Sequence, residues 1–332
     1  MDELDLIRSF RADLPAPSAG AVGRAERAWR RGRPRRRWAP RLAGASGLAA
    51  AAIAAAVALP GGDDGRLGPA KATAAETLRR AAEAQTFGLP RPLRPGEFWY
   101  FRMRTDTIVG GDESGYTAVQ PQVREEWVSA DGTRRARIVP AGPVRFPSPR
   151  DRARWETAGS PSFESDGVED YWFPTPRKRP FYLADRSMTY AGMLALPRDA
   201  EALYGRLRAG AVECECGPNA DHETFTIVAD TLHTTPLPND LRAAFLRAAA
   251  LIPGIKFVSD ERDAAGRRGI AVGHDHARRR EALVFDSHSY QFLGETTRQL
   301  ARDGYAGGRP GRLLGSTAYM ESGIVTSRAE RP

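Results

Sequence analysis

The spacing of apolar positions divides the chain into an uncharged N-terminal run and a longer region of mixed periods. The run covers residues 42–59, LAGASGLAAAAIAAAVAL. As a helix it measures about 27 Å, close to the roughly 30 Å thickness of a bilayer's hydrocarbon core. Arginines precede it, and Asp63 and Asp64 follow it, which is the positive-inside arrangement. The sequence therefore predicts a single transmembrane helix with a cytoplasmic N-terminus and an extracytoplasmic C-terminal part, in the cell membrane.

Two other interpretations of residues 42–59 stay open. Ten of the eighteen residues are alanine, which favours helix but is less lipophilic than leucine, so an alanine-rich soluble helix also fits. Ala56-Val57-Ala58 has the small-x-small form of a signal-peptide cleavage site. The forty-one residues before the run are too many for an ordinary signal peptide, and the arginine flank favours an anchor.

The first residues form a short amphipathic pattern, DELDLIRSFRADL at 2–14. One face of this predicted helix is apolar and consists of Leu6, Ile7, Phe10 and Leu14. Because so short a helix is marginal alone in water, it indicates either a terminus lying on the membrane or a segment that binds a cytosolic protein partner. Residues 1–41 thus comprise this helix and an arginine-rich tether.

After a Gly/Asp linker at 60–69, residues 70–332 are typical of one α+β domain. Helical periods cover 70–85, 198–207, 222–232 and 239–251. Strand patterns cover 97–103, 123–129, 133–139, 255–259, 269–273, 282–285, 289–294 and 316–327. Ala130-Asp131-Gly132 joins two of these strands as a hairpin turn. Strands, then helices, then strands predict a curved, half-barrel-like antiparallel sheet covered by helices on one face.

Residues 140–180 follow neither period, and we name them the flap. They are rich in proline and carry scattered aromatic residues: Phe146, Trp155, Phe163, Tyr171, Trp172 and Phe173. A loop of this length in a compact domain is usually a lid, a binding flap or a disordered segment. The aromatic residues indicate that part of it packs.

The net charge of +8 is concentrated in one segment. Residues 24–41 carry nine arginines against the single acid Glu26, and the chain after residue 59 is nearly balanced. The basic segment is therefore expected to lie beside anionic headgroups of the lipid bilayer. No basic stripe with interleaved aromatic residues follows, so the sequence indicates no nucleic-acid partner.

Two cysteines, Cys214 and Cys216, are separated by one residue. This spacing fits an unpaired surface loop, a strained or intermolecular disulfide, or part of a metal site, and no further Cys pair or His cluster follows to complete a set of ligands.

Other candidate chemistry is sparse. His274 and His276 lie between two strand patterns, which is typical of a polar hairpin tip, and no third metal ligand is apparent. Glu125 and Glu126 are neighbours on one strand, so they point to opposite faces and cannot form an acid/base pair. No catalytic motif is present. We therefore expect no enzymatic activity, no cofactor and no metal.

The order of these features resembles an uncharacterised family of single-pass actinobacterial membrane proteins often encoded beside sigma factors. The matching pieces after the amphipathic helix and the alanine-rich run are PGEFWY at 95–100, REEWVS at 124–129, LALP at 194–197, residues 241–254, GRRGIAV at 266–272 and LVFD at 283–286. The pattern of residues 70–332 is also similar to the half-barrel of lipoprotein carriers and periplasmic anti-sigma regulators. The resemblance implies location and genetic context, and it implies no catalytic residue.

These features favour a membrane-anchored extracytoplasmic sensing or regulatory protein whose N-terminal helix binds a cytosolic partner, with a link to sigma-factor signalling. The alternative is an extracytoplasmic carrier or binding module, in which the sheet holds a lipid or other apolar ligand beneath the flap.

Overall fold

The computed structural model describes residues 73–84, 87–110, 114–163, 167–184, 186–214, 219–301 and 310–332. The predicted cytosolic segment, transmembrane helix and linker lie outside these ranges, as do Leu6, Ile7, Phe10 and Leu14. No helix inside these ranges has both the length and the apolar character that crossing a bilayer requires. The predicted membrane anchor and its orientation therefore stay predictions.

The elements follow the predicted order closely. The helices are α1 (Ala74–Glu83), α2 (Pro149–Thr157), α3 (Tyr190–Leu194), α4 (Ala200–Glu213), α5 (Ala220–Thr234) and α6 (Asn239–Ala249). The strands are β1 (Phe98–Gly110), β2 (Thr117–Ser129), β3 (Arg134–Pro140), β4 (Glu169–Phe173), β5 (Phe181–Leu183), β6 (Arg186–Met188), β7 (Ile255–Arg262), β8 (Arg268–His276), β9 (Arg279–Phe285), β10 (Phe292–Gln299) and β11 (Leu313–Val325). Each helix or strand predicted within residues 70–332 overlaps one of these elements.

Nine strands form one antiparallel sheet in the order β4-β3-β2-β1-β11-β10-β9-β8-β7. Strand β11 lies between β1 and β10, pairing Phe98 with Val325 at one end and Thr107 with Gly315 at the other. It thereby joins the early strands to the late ones. The predicted α+β class with a large antiparallel sheet and helices is confirmed, and the predicted half-barrel curvature stays a prediction.

Two hairpin turns bear on the sequence predictions. Gly132, at φ +83°, closes the turn between β2 and β3, and the amide of Thr133 donates to the Asp131 carboxylate at 3.0 Å. The turn between β8 and β9 consists of Ala277 and Arg278, which both have positive φ. The expectation that His274 and His276 form the hairpin tip is therefore wrong, because both belong to β8.

The hydrophobic core lies between the sheet and five of the helices. Trp99 and Phe101 of β1 are almost fully buried there, together with apolar side chains of α1, α3, α4, α5 and α6. Side chains alternate along a strand, so Tyr100 points to the opposite face. Burying one such aromatic side chain contributes about 2 kcal/mol. Residues 67–332 form one compact unit, so we expect them to fold without the N-terminal segments.

On the opposite face the C-terminal residues cover the Tyr100–Trp127 pair. The Trp127 indole donates from Nε1 to the carbonyl of Glu330 at 2.7 Å. Arg331 donates through two nitrogens to the buried Glu125 carboxylate. This second, smaller aromatic cluster is thus closed by the end of the chain.

The flap contains regular structure that the sequence pattern does not reveal. Ser148 accepts a hydrogen bond from the amide of Asp151 and so caps α2, and Trp155 of that helix packs between Phe146 and Phe163. Farther along, β4 pairs with β3 and forms an edge of the nine-stranded sheet.

Candidate ligand-binding cleft

Two neighbouring chambers lie between α5, the β2–β3 hairpin, the end of the flap and α4, and together we call them the cleft. The first chamber measures about 640 Å³, and Val128, Phe173, Phe181 and Ile227 form its apolar walls. The second measures about 810 Å³, with Leu183, Met188 and Leu207 on one side and Ile227 on the other. Ala184 and Ile227 line both chambers, so the two lie side by side.

Helix α5 forms the wall common to both chambers, and its sequence explains where it starts. The Asn219 side chain accepts from the amides of Asp221 and His222, which would otherwise lack partners at the helix N-terminus. The negative charges of Asp221 and Glu223 in the first turn interact favourably with the positive end of the helix dipole and stabilise the helix start. Thr231 bonds back to the Ile227 carbonyl at 2.6 Å, so its hydroxyl stays satisfied although it is buried in the cleft wall.

The end of the flap is fixed to the β2–β3 hairpin beside the cleft. The amide of Arg177 donates to the Asp131 carbonyl at 2.9 Å. Pro180 packs so closely on Gly132 that a Cβ at position 132 would lie 2.2 Å from the Pro180 Cβ. Glycine is therefore required at this position both by positive φ and by the close approach.

Cationic side chains surround the apolar floor of the cleft. Arg134 and Arg177 line the first chamber, and Arg179, Arg186 and Arg206 line the second. The acidic lining residues are Asp230 and Glu213. Arg134 pairs with Glu126 and Arg186 pairs with Glu213. Arg177, Arg179 and Arg206 are exposed, so positive charge dominates the rim.

The other side of α5 faces the sheet through polar contacts. Thr226 donates to Glu281 of β9 at 3.1 Å, and His233 Nδ1 lies 3.5 Å from Glu295 of β10. Burial alone lowers the pKa of His233, but the charge and hydrogen bond of Glu295, together with the charges of Glu126 and Asp230, raise the pKa overall. Burial, with the nearby Glu295 charge, raises the pKa of Asp230. A cavity of about 230 Å³ separates α5 from β9 and β10 along this row.

Three histidines meet near the start of α5. The ring of His222 stacks on that of His276 with centroids 4.5 Å apart, and His274 lies 5.5 Å away. Burial lowers the pKa of His222, and the two other imidazoles lower it further. Within the described ranges no set of three or more His, Cys, Asp or Glu side chains is placed to hold a metal ion. The three imidazole rings thus pack on one another, and His274 Nε2 is hydrogen-bonded to the Pro253 carbonyl.

The sequence-selected residues have different outcomes. Cys214 lies at the C-terminus of α4 and is disulfide-bonded. Cys216 lies outside the described residues, so a disulfide between Cys214 and Cys216, one of the alternatives that the spacing allows, is neither confirmed nor contradicted. Glu125 and Glu126 point to opposite faces as predicted, since Glu125 pairs with Arg331 and Arg137 whereas Glu126 pairs with Arg124 and Arg134.

The cleft itself is not predicted by the sequence pattern. The apolar period of α5 is predicted, but most of its cleft-facing positions are Thr or Asp, and polar residues of this kind are equally typical of positions that face solvent. The usable signal is the run of three cations at 177–179, which follows three consecutive aromatic residues at 171–173.

Comparison with known proteins gives little further guidance. No protein-family model matches the chain, and no curated protein matches it. One similar solved structure is the crystal structure of MucB, with 12% sequence identity and a TM-score of 0.21 over 78% of this chain. The chain spans about 60% of the length of that MucB chain. At this TM-score the similarity carries no argument about function.

Proposed function

We propose that residues 73–332 form a binding module for an amphipathic ligand with an apolar chain and an anionic head. The observation that carries the proposal is the cleft, whose apolar walls are surrounded by arginines. Its chambers of about 640 and 810 Å³ have the size of ligand pockets, and such pockets typically combine apolar walls with a few polar groups that orient the ligand. An acyl chain fits the walls, and a carboxylate or phosphate pairs with the arginines.

The arginines distinguish this ligand from a neutral hydrocarbon. Guanidinium groups bind carboxylate or phosphate oxygens through two parallel hydrogen bonds, and Arg177, Arg179 and Arg206 are exposed at the rim. The counter-charge is limited, because Glu213 already pairs with Arg186. A neutral ligand of equal length leaves the arginines without an acidic partner from the ligand and is expected to bind more weakly.

A displacement titration with 11-(dansylamino)undecanoic acid tests the proposal on residues 67–332. We expect saturable fluorescence that dodecanoic acid reverses and that dodecanol reverses at least tenfold less effectively. The variant Ile227→Trp fills the wall common to both chambers and is expected to weaken binding tenfold or more. Val212→Trp is the matched control, because Val212 is exposed on α4 and lines neither chamber. Equal probe binding by both variants contradicts the proposal.

The role of this binding in the whole chain is a second part of the proposal. A ligand-binding domain behind a predicted membrane anchor fits a sensing or regulatory protein, with the predicted helix bearing Leu6, Ile7, Phe10 and Leu14 as its contact to a cytosolic partner, in keeping with the resemblance to a sigma-factor-associated family. A pull-down with residues 1–40 as bait tests this part. Replacing the four apolar residues with serine should abolish capture, and capture that survives the replacement contradicts a groove-bound helix.

A further inference from the structure

We infer that the exposed segment from Tyr171 to Arg179 docks the domain on an anionic lipid bilayer. The segment is YWFPTPRKR, and every one of its nine residues is exposed. It combines three consecutive aromatic residues with three consecutive cations. We name it the docking segment.

The aromatic part of the docking segment is unusual for a strand of a soluble domain. Tyr171, Trp172 and Phe173 are 44%, 36% and 41% exposed. Tyr171 and Phe173 lie on the face that carries the cleft, whereas Trp172 points to the other face, where Arg328 lies over its ring at 4.1 Å. Both faces of this edge strand therefore carry aromatic side chains that are more than one third exposed. Trp and Tyr are the residues most enriched at the headgroup level of membranes.

The cationic part supplies the charge complementarity. Arg177, Lys178 and Arg179 follow the aromatic residues after a Pro-Thr-Pro spacer. The nearest acids along β4 are engaged, because Asp170 accepts two hydrogen bonds from Arg135 and Glu169 accepts one from the Tyr171 hydroxyl. Each Lys or Arg near an anionic surface contributes about fivefold in affinity, so three contribute on the order of 100-fold. A bilayer with acidic headgroups satisfies both parts of the segment.

The docking segment is continuous with the cleft. Phe173, Arg177 and Arg179 line its chambers, and Pro180, the residue after the segment, packs on the hairpin that forms the cleft wall. Docking therefore places the cleft beside the acyl chains and headgroups of the bilayer. This consequence rests on the proposed function, because an amphipathic ligand then enters from the membrane without crossing water. The docking itself does not depend on the cleft being occupied.

The competing occupant is a second strand. Strand β4 is an edge of the sheet, and such an edge can pair with another copy of the chain or with an extended peptide. Strand pairing uses backbone groups and has no need for three exposed aromatic side chains followed by three cations. The observations thus favour the bilayer.

Vesicle co-sedimentation of residues 67–332 tests the inference. We expect binding to vesicles with 30 mol% phosphatidylglycerol to be about 100-fold tighter than to pure phosphatidylcholine vesicles, and to weaken as salt is raised. The double variant Tyr171→Ser/Trp172→Ser should bind the phosphatidylglycerol vesicles at least tenfold more weakly, and Lys178→Gln should bind them about fivefold more weakly. These three residues line neither chamber. The matched controls are Val212→Ser/Met320→Ser and Arg79→Gln, which remove exposed apolar and cationic side chains elsewhere and should leave binding unchanged.

Each result has a defined meaning. Equal binding to both kinds of vesicle, or equal losses in the docking variants and the controls, overturns the inference. If sedimentation velocity shows a dimer that Tyr171→Ser/Trp172→Ser converts to monomer, and no vesicle binding is seen, the inference is overturned in favour of self-association. If the dansyl probe fails to bind while vesicles still do, the proposed function is wrong and the docking stands. If the probe binds in solution and vesicles do not, the docking is wrong and the proposed function stands.

Discussion

Replacing Gly132 with alanine tests whether the contact between flap and hairpin shapes the cleft. Two penalties add at this position. Gly132 has φ +83°, and an alanine in the left-handed region costs about 1–2 kcal/mol. Its Cβ would also lie 2.2 Å from the Pro180 Cβ, and overpacking of this kind costs about 1–3 kcal/mol. The expected loss of unfolding free energy is therefore about 2–5 kcal/mol.

Gly266→Ala separates the two penalties. Gly266 has φ +82° in the turn between β7 and β8, and a Cβ at this position would have no neighbouring atom within 4 Å, so only the conformational penalty applies. Urea unfolding of both variants should show the larger loss for Gly132→Ala by about 1–3 kcal/mol. Because the flap must move to relieve the overlap, this variant should also bind the dansyl probe more weakly, whereas Gly266→Ala should bind it normally. Equal destabilisation with unchanged probe affinity refutes the reasoning.

Three further predictions concern charged side chains. His233→Gln should lower the free energy of unfolding by up to about 1 kcal/mol below pH 6, and the electrostatic loss should disappear at high pH. The reason is that a pKa raised in the folded state gives stability that is fully present below the unfolded-state pKa and is lost as pH rises through the folded-state pKa. Urea unfolding at a series of pH values measures this difference. Arg331→Ala should cost about 1 kcal/mol at pH 7, and the cost should vanish as acid titrates Glu125, whose pKa the Arg331 hydrogen bonds hold at about 2. Arg242 is fully buried and donates to the Leu232 carbonyl. Arg242→Met should lower the free energy of unfolding by no more than about 2 kcal/mol, whereas Arg242→Ala should lower it by about 3 kcal/mol or more. Thermal and urea unfolding measure both losses.

The fold was largely predictable because its long elements have clean periods. Helix α6 presents Leu241, Phe245 and Ala248 at helical spacing, and all three are fully buried. The sequence pattern does not reveal strand β4 for the opposite reason, since the strand has only five residues, is mostly exposed on both faces and ends just before Pro174. An alternating pattern arises only where one face of a strand is covered.

The site was less predictable because its parts are distant in sequence. His222 falls in a predicted helix, but His274 and His276 come more than fifty residues later, and only the packing of α5 on β8 brings the three rings together. The cleft likewise depends on the approach of Pro180 to Gly132, which no local pattern encodes. The sequence shows the three aromatic residues and the three cations of the docking segment, but it does not show that the segment is exposed.

Polar contacts between α5 and the sheet coincide with unfilled space beside the helix. Apolar side chains interdigitate and fill the space between a helix and a sheet, as those of α6 do in the main core. Helix α5 also contributes Phe225, Val228 and Leu232 to that core, but it meets β9 and β10 through the Thr226–Glu281 and His233–Glu295 pairs. A cavity of about 230 Å³ lies along these pairs, and the two chambers lie where α5 meets the hairpin and the end of the flap. Helices and strands of the fold supply most of the cleft walls, and a site built on such elements limits the conformational cost of binding.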